Sequence, residues 1–317
     1  MSERELLEQT ANGLFTDHCS VERVDGAVDA GWDPMLWQAL VTTGFTELSL
    51  IEGTLADAAT VIRVGAYHSA MVPLGETLLL GGWLQQQLGL PITAPVTAGF
   101  RTDRIPYGRV AEALVVDAST GEVARAELTE GGHNVAREPR DRMRPVGESI
   151  GQLSAEEMEE LRLRAALLRT IQLAGAAQRA LDLTVTYATE RVQFGRTISK
   201  FQAVQQAVAV MAAEVAVMRA SADAAVDAGE RDGIIGAAFA IAAAKTQASQ
   251  AAGSVARIAH QMHGAIGFTY EHSLRLSTTR LWSWRDEAGN EGHWSGVVGA
   301  AVRNAGGAGL WPLIVGS

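Results

Sequence analysis

Apolar residues recur at steps of three and four from about residue 3 to 89, as in Trp37, Leu40 and Val41, and again in Leu78, Leu79, Leu80, Trp83 and Leu84. That spacing gathers them on one side of a helix and predicts a helical N-terminal domain over 1–89. Asp33-Pro34 ahead of Met35 marks a helix start, with proline pre-set for the first turn. Between about 90 and 150 the pattern changes. Pro91, Pro95, Pro106, Pro139 and Pro145 punctuate short alternating runs, Ala113–Asp117 and Val123–Leu128, which the turn-rich residues 118–122 join. They predict a small sheet, a reduced β domain over 90–150. From 151 to 317 long helical patterns return. Ser154 with Glu157 three residues on fits a capping box. Ala-rich segments at about 154–190, 199–228 and 233–263 then suit close-packed helices of a bundle, with Gly229 and Arg231-Asp232-Gly233 separating the last two. The expected fold is mainly α with a small β segment.

Composition narrows the function classes. Of 317 residues 47% are hydrophobic and 20% charged, as in an ordinary soluble domain, and no apolar run reaches spanning length or has a signal-peptide layout. The formal net charge of −10 argues against a broad nucleic-acid footprint. Cys19 is the only cysteine, so no intrachain disulfide forms and a cytoplasmic setting fits. His260 and His263 stand three apart with no Cys, His or carboxylate near them in sequence to complete a metal set. Lys245, alone in an Ala-rich helix, reads as an ion-pair partner at an interface rather than a catalytic amine. Trp282, Trp284 and Trp294 read as core or subunit-contact anchors before a ligand wall.

Two stretches carry chemistry. In the first, Arg191-Val192-Gln193-Phe194-Gly195, a helix ends and turns through glycine, and Ser199 is placed to cap the helix that follows near Phe201-Gln202. In the second, Gln261-Met262-His263-Gly264-Ala265-Ile266-Gly267-Phe268, a helix runs into a glycine-punctuated loop where backbone amides can approach a ligand. In this order and spacing the two resemble the C-terminal domain of the acyl-CoA dehydrogenase family, well over about 155–290. The N-terminal region resembles that family only in helical character and in Pro73-Leu74-Gly75-Glu76-Thr77. The resemblance implies that the first stretch grips the ADP portion of FAD on a neighbouring subunit. Arg191 would then sit on the pyrophosphate, Phe194 near the adenosine, and Gln193, Phe201 and Gln202 close by. Gln261, Gly264 and Gly267 would lie along the dinucleotide. The plain alternative makes Arg191 a helix-terminal charge and Phe194 core.

The departures matter as much. No segment between 85 and 150 matches the family's flavin-ring cradle, a T-E-P-x-x-G-S-D-like run, and the β region is shorter than the family's. Dehydrogenation needs a carboxylate to take the α-proton as hydride leaves for the flavin. Family members place that Glu at one of two positions. Ungapped alignment puts Ala288-Gly289-Asn290 at one and Ala165 at the other. Glu287 is one residue off, and a one-residue helical shift turns a side chain about 100° away. Asp286 is a weaker substitute. Glu271 matches a Glu that opens the next helix.

The resemblance therefore implies an FAD-contacting, base-less subunit. It would pair with a longer homologue, as in actinobacterial α2β2 acyl-CoA dehydrogenases for steroid side-chain CoA thioesters, with an external electron acceptor. Two alternatives stand beside it: a self-sufficient homo-oligomeric dehydrogenase using Glu287, and a non-enzymatic helical scaffold.

Overall fold

The structure, a computed structural model, describes residues 2–315. Four helices open the chain: α1 (Glu3–His18), α2 (Val21–Ala30), α3 (Pro34–Thr42) and α4 (Leu55–Tyr67). Their starts are chemically specified. Ser2 and Thr54 form reciprocal caps with Glu5 and Asp57, and the Asp33 carboxylate accepts from the amides of Met35 and Leu36 at 2.9 and 3.0 Å. A last helical segment comprises α5 (Leu74–Glu76), a π-helical turn (Thr77–Gly81) and α6 (Gly82–Gln87).

Five strands follow: β1 (Val96–Phe100), β2 (Ile105–Pro106), β3 (Glu112–Val116), β4 (Glu122–Glu130) and β5 (Arg140–Gln152), in the order β1-β3-β4-β5-β2. β3 and β4 are the hairpin read from the sequence, with Ala113 opposite Ala126 and Val116 opposite Val123. Asp117 shapes its turn by accepting from the amides of Ser119 and Thr120. β1 runs parallel to β3, and the remaining pairings are antiparallel.

The C-terminal region is a bundle of α7 (Ala155–Glu190), α8 (Gln202–Gly236), α9 (Ala238–His263) and α10 (Leu274–Asp286), followed by α11 (Glu291–Val315). A short hairpin, β6 (Val192–Gln193) with β7 (Arg196–Thr197), links α7 to α8. Ser154 caps α7 with Glu157, as its sequence predicts. The segments predicted after it shift. α8 runs straight through Gly229, which is buried against Leu55 and Ile234, and its backbone breaks only at Gly233, where φ is 73°. A helical glycine costs about 1 kcal/mol but does not end a helix that is packed on both sides. Ser199 does not cap α8 either: that place falls to Phe201, and the Ser199 hydroxyl bonds Thr197.

Helices approach closely where side chains are small. An added Cβ at Gly175 of α7 would sit 2.2 Å from the Arg63 carbonyl oxygen of α4. Gly175→Ala is therefore expected to cost about 1–3 kcal/mol by forcing these helices apart. Gly26→Ala, where an added Cβ meets nothing within 4 Å, should be neutral or stabilising by up to about 1 kcal/mol. Urea midpoints check both, and equal midpoints for the two variants would refute the packing argument.

Candidate functional site

A cavity of about 590 Å³ opens where the three regions meet. Leu80 comes from the π-turn, Phe100 and Ile105 from the sheet, Leu161, Ala165 and Leu168 from α7, and Glu287, Ala288, Gly289 and Trp294 from the end of α10 and the start of α11. Ala165 and Ala288 thus line one space. Trp294, read as an anchor, is also a wall of this cavity. Its indole N–H donates to the Ala288 carbonyl at 2.8 Å.

The turn carrying Glu287 and Ala288 is firmly held. Ala288 and Gly289 both adopt positive φ, 55° and 88°, and the Lys245 ammonium donates to the carbonyls of Arg285 and Gly289 and to the Ser249 hydroxyl, each at 2.9 Å. Lys245 is fully buried. It is no interface ion-pair partner, since its hydrogen-bond partners are neutral oxygens of its own chain. Burial, with Arg169 nearby, pulls its pKa down to about 7.

Glu287 itself is clamped. Its Oε1 accepts from Asn134 Nδ2 and Arg140 Nε, both at 2.9 Å, and its Oε2 pairs with Arg140 Nη2 and Arg169 Nε, both at 2.8 Å. Burial works to raise this carboxyl, but Arg140 and then Arg169 outweigh it and hold the pKa at about 2. A carboxylate so held is a poor proton acceptor at neutral pH. The clamp continues in both directions. Arg169 pairs with buried Glu76 at 3.0 Å. Arg140 pairs with Glu138 at 3.0 Å, Glu138 with Arg280 at 3.1 Å, and Arg280 donates to the Ser69 carbonyl at 3.0 Å. Trp284 adds its indole N–H to Glu138 at 2.8 Å. Asp286 is exposed and lies 3.6 Å from Arg285.

The other candidate residues gather at one end of the bundle. Arg191 caps the C-terminus of α7, and Phe194-Gly195 forms the tip of the β6–β7 hairpin with positive φ at both residues. Phe194 is 91% exposed, so it is not core. Its ring meets Phe201 edge-on at 6.1 Å, and Arg196 lies over Phe201 at 4.2 Å. Gln193 and Gln202 are exposed, and Arg191 has no side-chain hydrogen bond or ion pair among the described residues. The C-terminus of α9 lies beside this hairpin's base, since Tyr187 stacks on His263 at 4.4 Å. Gln261 is exposed there, and Gly264 takes φ 63° over open space. Gly267 differs: it is buried, and an added Cβ would lie 3.2 Å from His260 Nδ1, so its smallness lets the loop fold onto the helix. His260 is stacked between Phe268 and Trp282, at 3.9 and 5.2 Å. Glu271 does not open α10, which starts three residues later at Leu274.

With this geometry in hand, the comparisons with known proteins decide the family. The sequence profile of the acyl-CoA dehydrogenase C-terminal domain matches residues 158–284. The chain is 33% identical over 300 residues to the acyl-CoA dehydrogenase IpdE2 of Mycolicibacterium smegmatis, covering 86% of this chain and 90% of that protein. The chain belongs to the acyl-CoA dehydrogenase family. Its fold matches that of the Tcur3481–Tcur3483 steroid ACAD with a TM-score of 0.83, at 21% identity over 96% of this chain and 98% of the other. It matches a chain of the ChsE4–ChsE5 complex from Mycobacterium tuberculosis with a TM-score of 0.80, at 19% identity over 95% and 97%. An oxidoreductase role follows from this membership, and the members of this family are flavoproteins that use FAD. The exposed, unpaired Arg191 and the open glycine loop beside it fit the tail of such a dinucleotide.

Sequence reasoning missed the charge chain through Arg140, Arg169, Glu138 and Arg280. One signal was available: Arg169 stands four residues after Ala165, on the same face of α7, where a charge among apolar neighbours needs a buried partner.

Two stability measurements test this site. Glu287→Gln leaves Arg140 and Arg169 without their shared countercharge and should cost about 3–5 kcal/mol. The native chain should also lose stability as pH falls through the carboxylate range toward about 2, the variant less so, because a depressed carboxyl contributes only while ionised. Equal denaturation midpoints would contradict the clamp. Lys245 acts with the same sign in a higher pH window. Its folded pKa of about 7 lies below the ordinary lysine value of 10.5, so the unfolded chain binds the extra proton and stability should rise with pH between those values. Lys245→Met should remove that rise, and an unchanged pH slope would refute it.

Proposed function

We propose that this chain is the FAD-contacting, base-less subunit of a heteromeric acyl-CoA dehydrogenase. One observation carries the reading: Ala165 and Ala288, which counting from the motifs sets at the two base positions, line a single cavity, and the carboxylate beside them, Glu287, is fixed by two arginines and an asparagine. A longer homologue supplies the base and the flavin-ring cradle in an α2β2 assembly. When bound, FAD would supply the hydride-accepting chemistry for dehydrogenation of the acyl group, with an external acceptor to take the electrons on. This chain's contribution is to hold the cofactor's tail. Arg191 offers its planar donor fork to the pyrophosphate. Phe194, with Phe201 behind it, offers an aromatic face to the adenosine, and Gln193, Gln202 and Gln261 offer amides around it. Gly264 lets the backbone approach, and Gly267 sets the loop's path.

One of the similar folds is named as a steroid ACAD and another as the ChsE4–ChsE5 complex, which supports a partner of the same family and a bulky acyl group such as a steroid side-chain CoA thioester. Among the described residues no helix is long and apolar enough to cross a membrane, and the free Cys19 is in keeping with a cytoplasmic enzyme. A self-sufficient enzyme would need Glu287 to abandon both arginines at each turnover, against the several kcal/mol that such a separation costs.

In the purified pair, Arg191→Gln should reduce bound flavin at limiting FAD by about tenfold, the size expected for one charged hydrogen-bonding group. Retention of full flavin absorbance would remove Arg191 from the site. Glu287→Gln, assayed well below its own melting temperature, should leave turnover in place. Abolished turnover in a folded, flavin-loaded pair would make Glu287 the base and this chain a complete enzyme.

A further inference from the structure

The base-less reading leaves the 590 Å³ cavity without a catalytic task, yet the fold keeps it open. Its volume lies in the range of sites that enclose a drug-sized ligand. Its walls are largely apolar, with Leu80, Phe100, Ile105, Leu161, Leu168 and Trp294 facing the space. The charged lining is predominantly cationic: Arg104, Arg140, Arg162 and Arg169 against Asp103 and Glu287. These arginines form two sets. Arg140 and Arg169 are buried and saturated by Glu287, Glu138 and Glu76. Arg104 and Arg162 have side chains 40% and 42% exposed, and their partners Glu130 and Glu159 are themselves more than half exposed. Arg162 also lies over the Phe100 ring at 4.5 Å, bringing a cation to the edge of an apolar wall. Exposed pairs of this kind contribute roughly 0–1 kcal/mol, so an incoming anion can exchange for either glutamate at little cost.

We propose that this cavity is a second, non-catalytic site for an apolar carboxylate: a free acid without its CoA, with its hydrocarbon body against Trp294 and Leu168 and its carboxylate on Arg104 and Arg162. The proposal rests on the base-less reading, because a ligand held here meets alanine at 165 and 288 and a locked carboxylate at 287. No bond changes.

The test uses pyrene-1-butyrate, and its uncharged primary amide as a twin, titrated into the purified pair by calorimetry and Trp fluorescence. Saturable binding of one carboxylate per copy of this chain is expected, with the amide weaker by about tenfold, the sum of two exposed charge contacts. Arg104→Gln/Arg162→Gln should remove that preference for the acid. Ala165→Trp should fill the cavity and abolish binding at this site. Because a core insertion can disturb folding, circular dichroism and flavin content are read in parallel, and Ala165→Leu serves as the milder filling variant. Equal affinity for acid and amide, or undiminished binding in both filled variants, would overturn the proposal. So would loss of acyl-CoA turnover in a folded Ala165→Leu pair, which would make the cavity part of the substrate path. The outcome is separable from the base-less reading, which fails on Glu287→Gln turnover and not on ligand binding.

Discussion

Three carboxylates and three guanidiniums alternate through the middle of this molecule, from Glu76 to Arg169, Glu287, Arg140, Glu138 and Arg280. Arg280 returns to the Ser69 carbonyl, a few residues before Glu76. The chain of charges therefore ties the N-terminal helices to α7, to the end of α10 and to the sheet. Burying six charges gains little net free energy compared with a well-packed apolar core, but removing any one leaves its neighbour uncompensated. That asymmetry fixes the relative placement of the three regions. It also fixes the fate of Glu287, whose charge is needed by the arginines around it and is not free to accept a proton.

Around this constraint the alanines at 165 and 288 acquire meaning. Each alone would be an ordinary small residue in a helix or turn. Together they face one cavity, and the turn bearing the second is held by Lys245 beneath and Trp294 beside it. A rigid turn that presents a methyl group to the cavity is a well-built wall. The bundle's far end is the reverse case: Arg191, Phe194 and Gly264 are exposed on a two-residue hairpin and an open loop, shaped to meet something outside this chain.

Much of this was legible in the sequence because it is local. The caps at Asp33 and Ser154, the β3–β4 hairpin and the glycine-bearing turn at Phe194-Gly195 each depend on residues within a few positions of one another. The family motifs are local too, and Ala165 and Ala288 could be picked out by counting from them. What escaped was non-local. Glu76 and Arg169 are buried partners from opposite ends of the fold, and no periodicity announces that a charge points inward. Lys245 was misread for the same reason, since its partners are backbone carbonyls forty residues away. The helix break at Gly233 falls within the predicted Arg231-Asp232-Gly233 stretch, while Gly229 stays helical, packed near Leu55, a distant residue.

The most direct measurement is the flavin absorbance spectrum of this chain alone and of this chain with its longer homologue, each titrated anaerobically with acyl-CoA. The account predicts flavin bleaching by the thioester only in the mixture. Stoichiometric flavin that bleaches in the chain by itself would contradict it, and would mean that the locked carboxylate at Glu287 is released during catalysis.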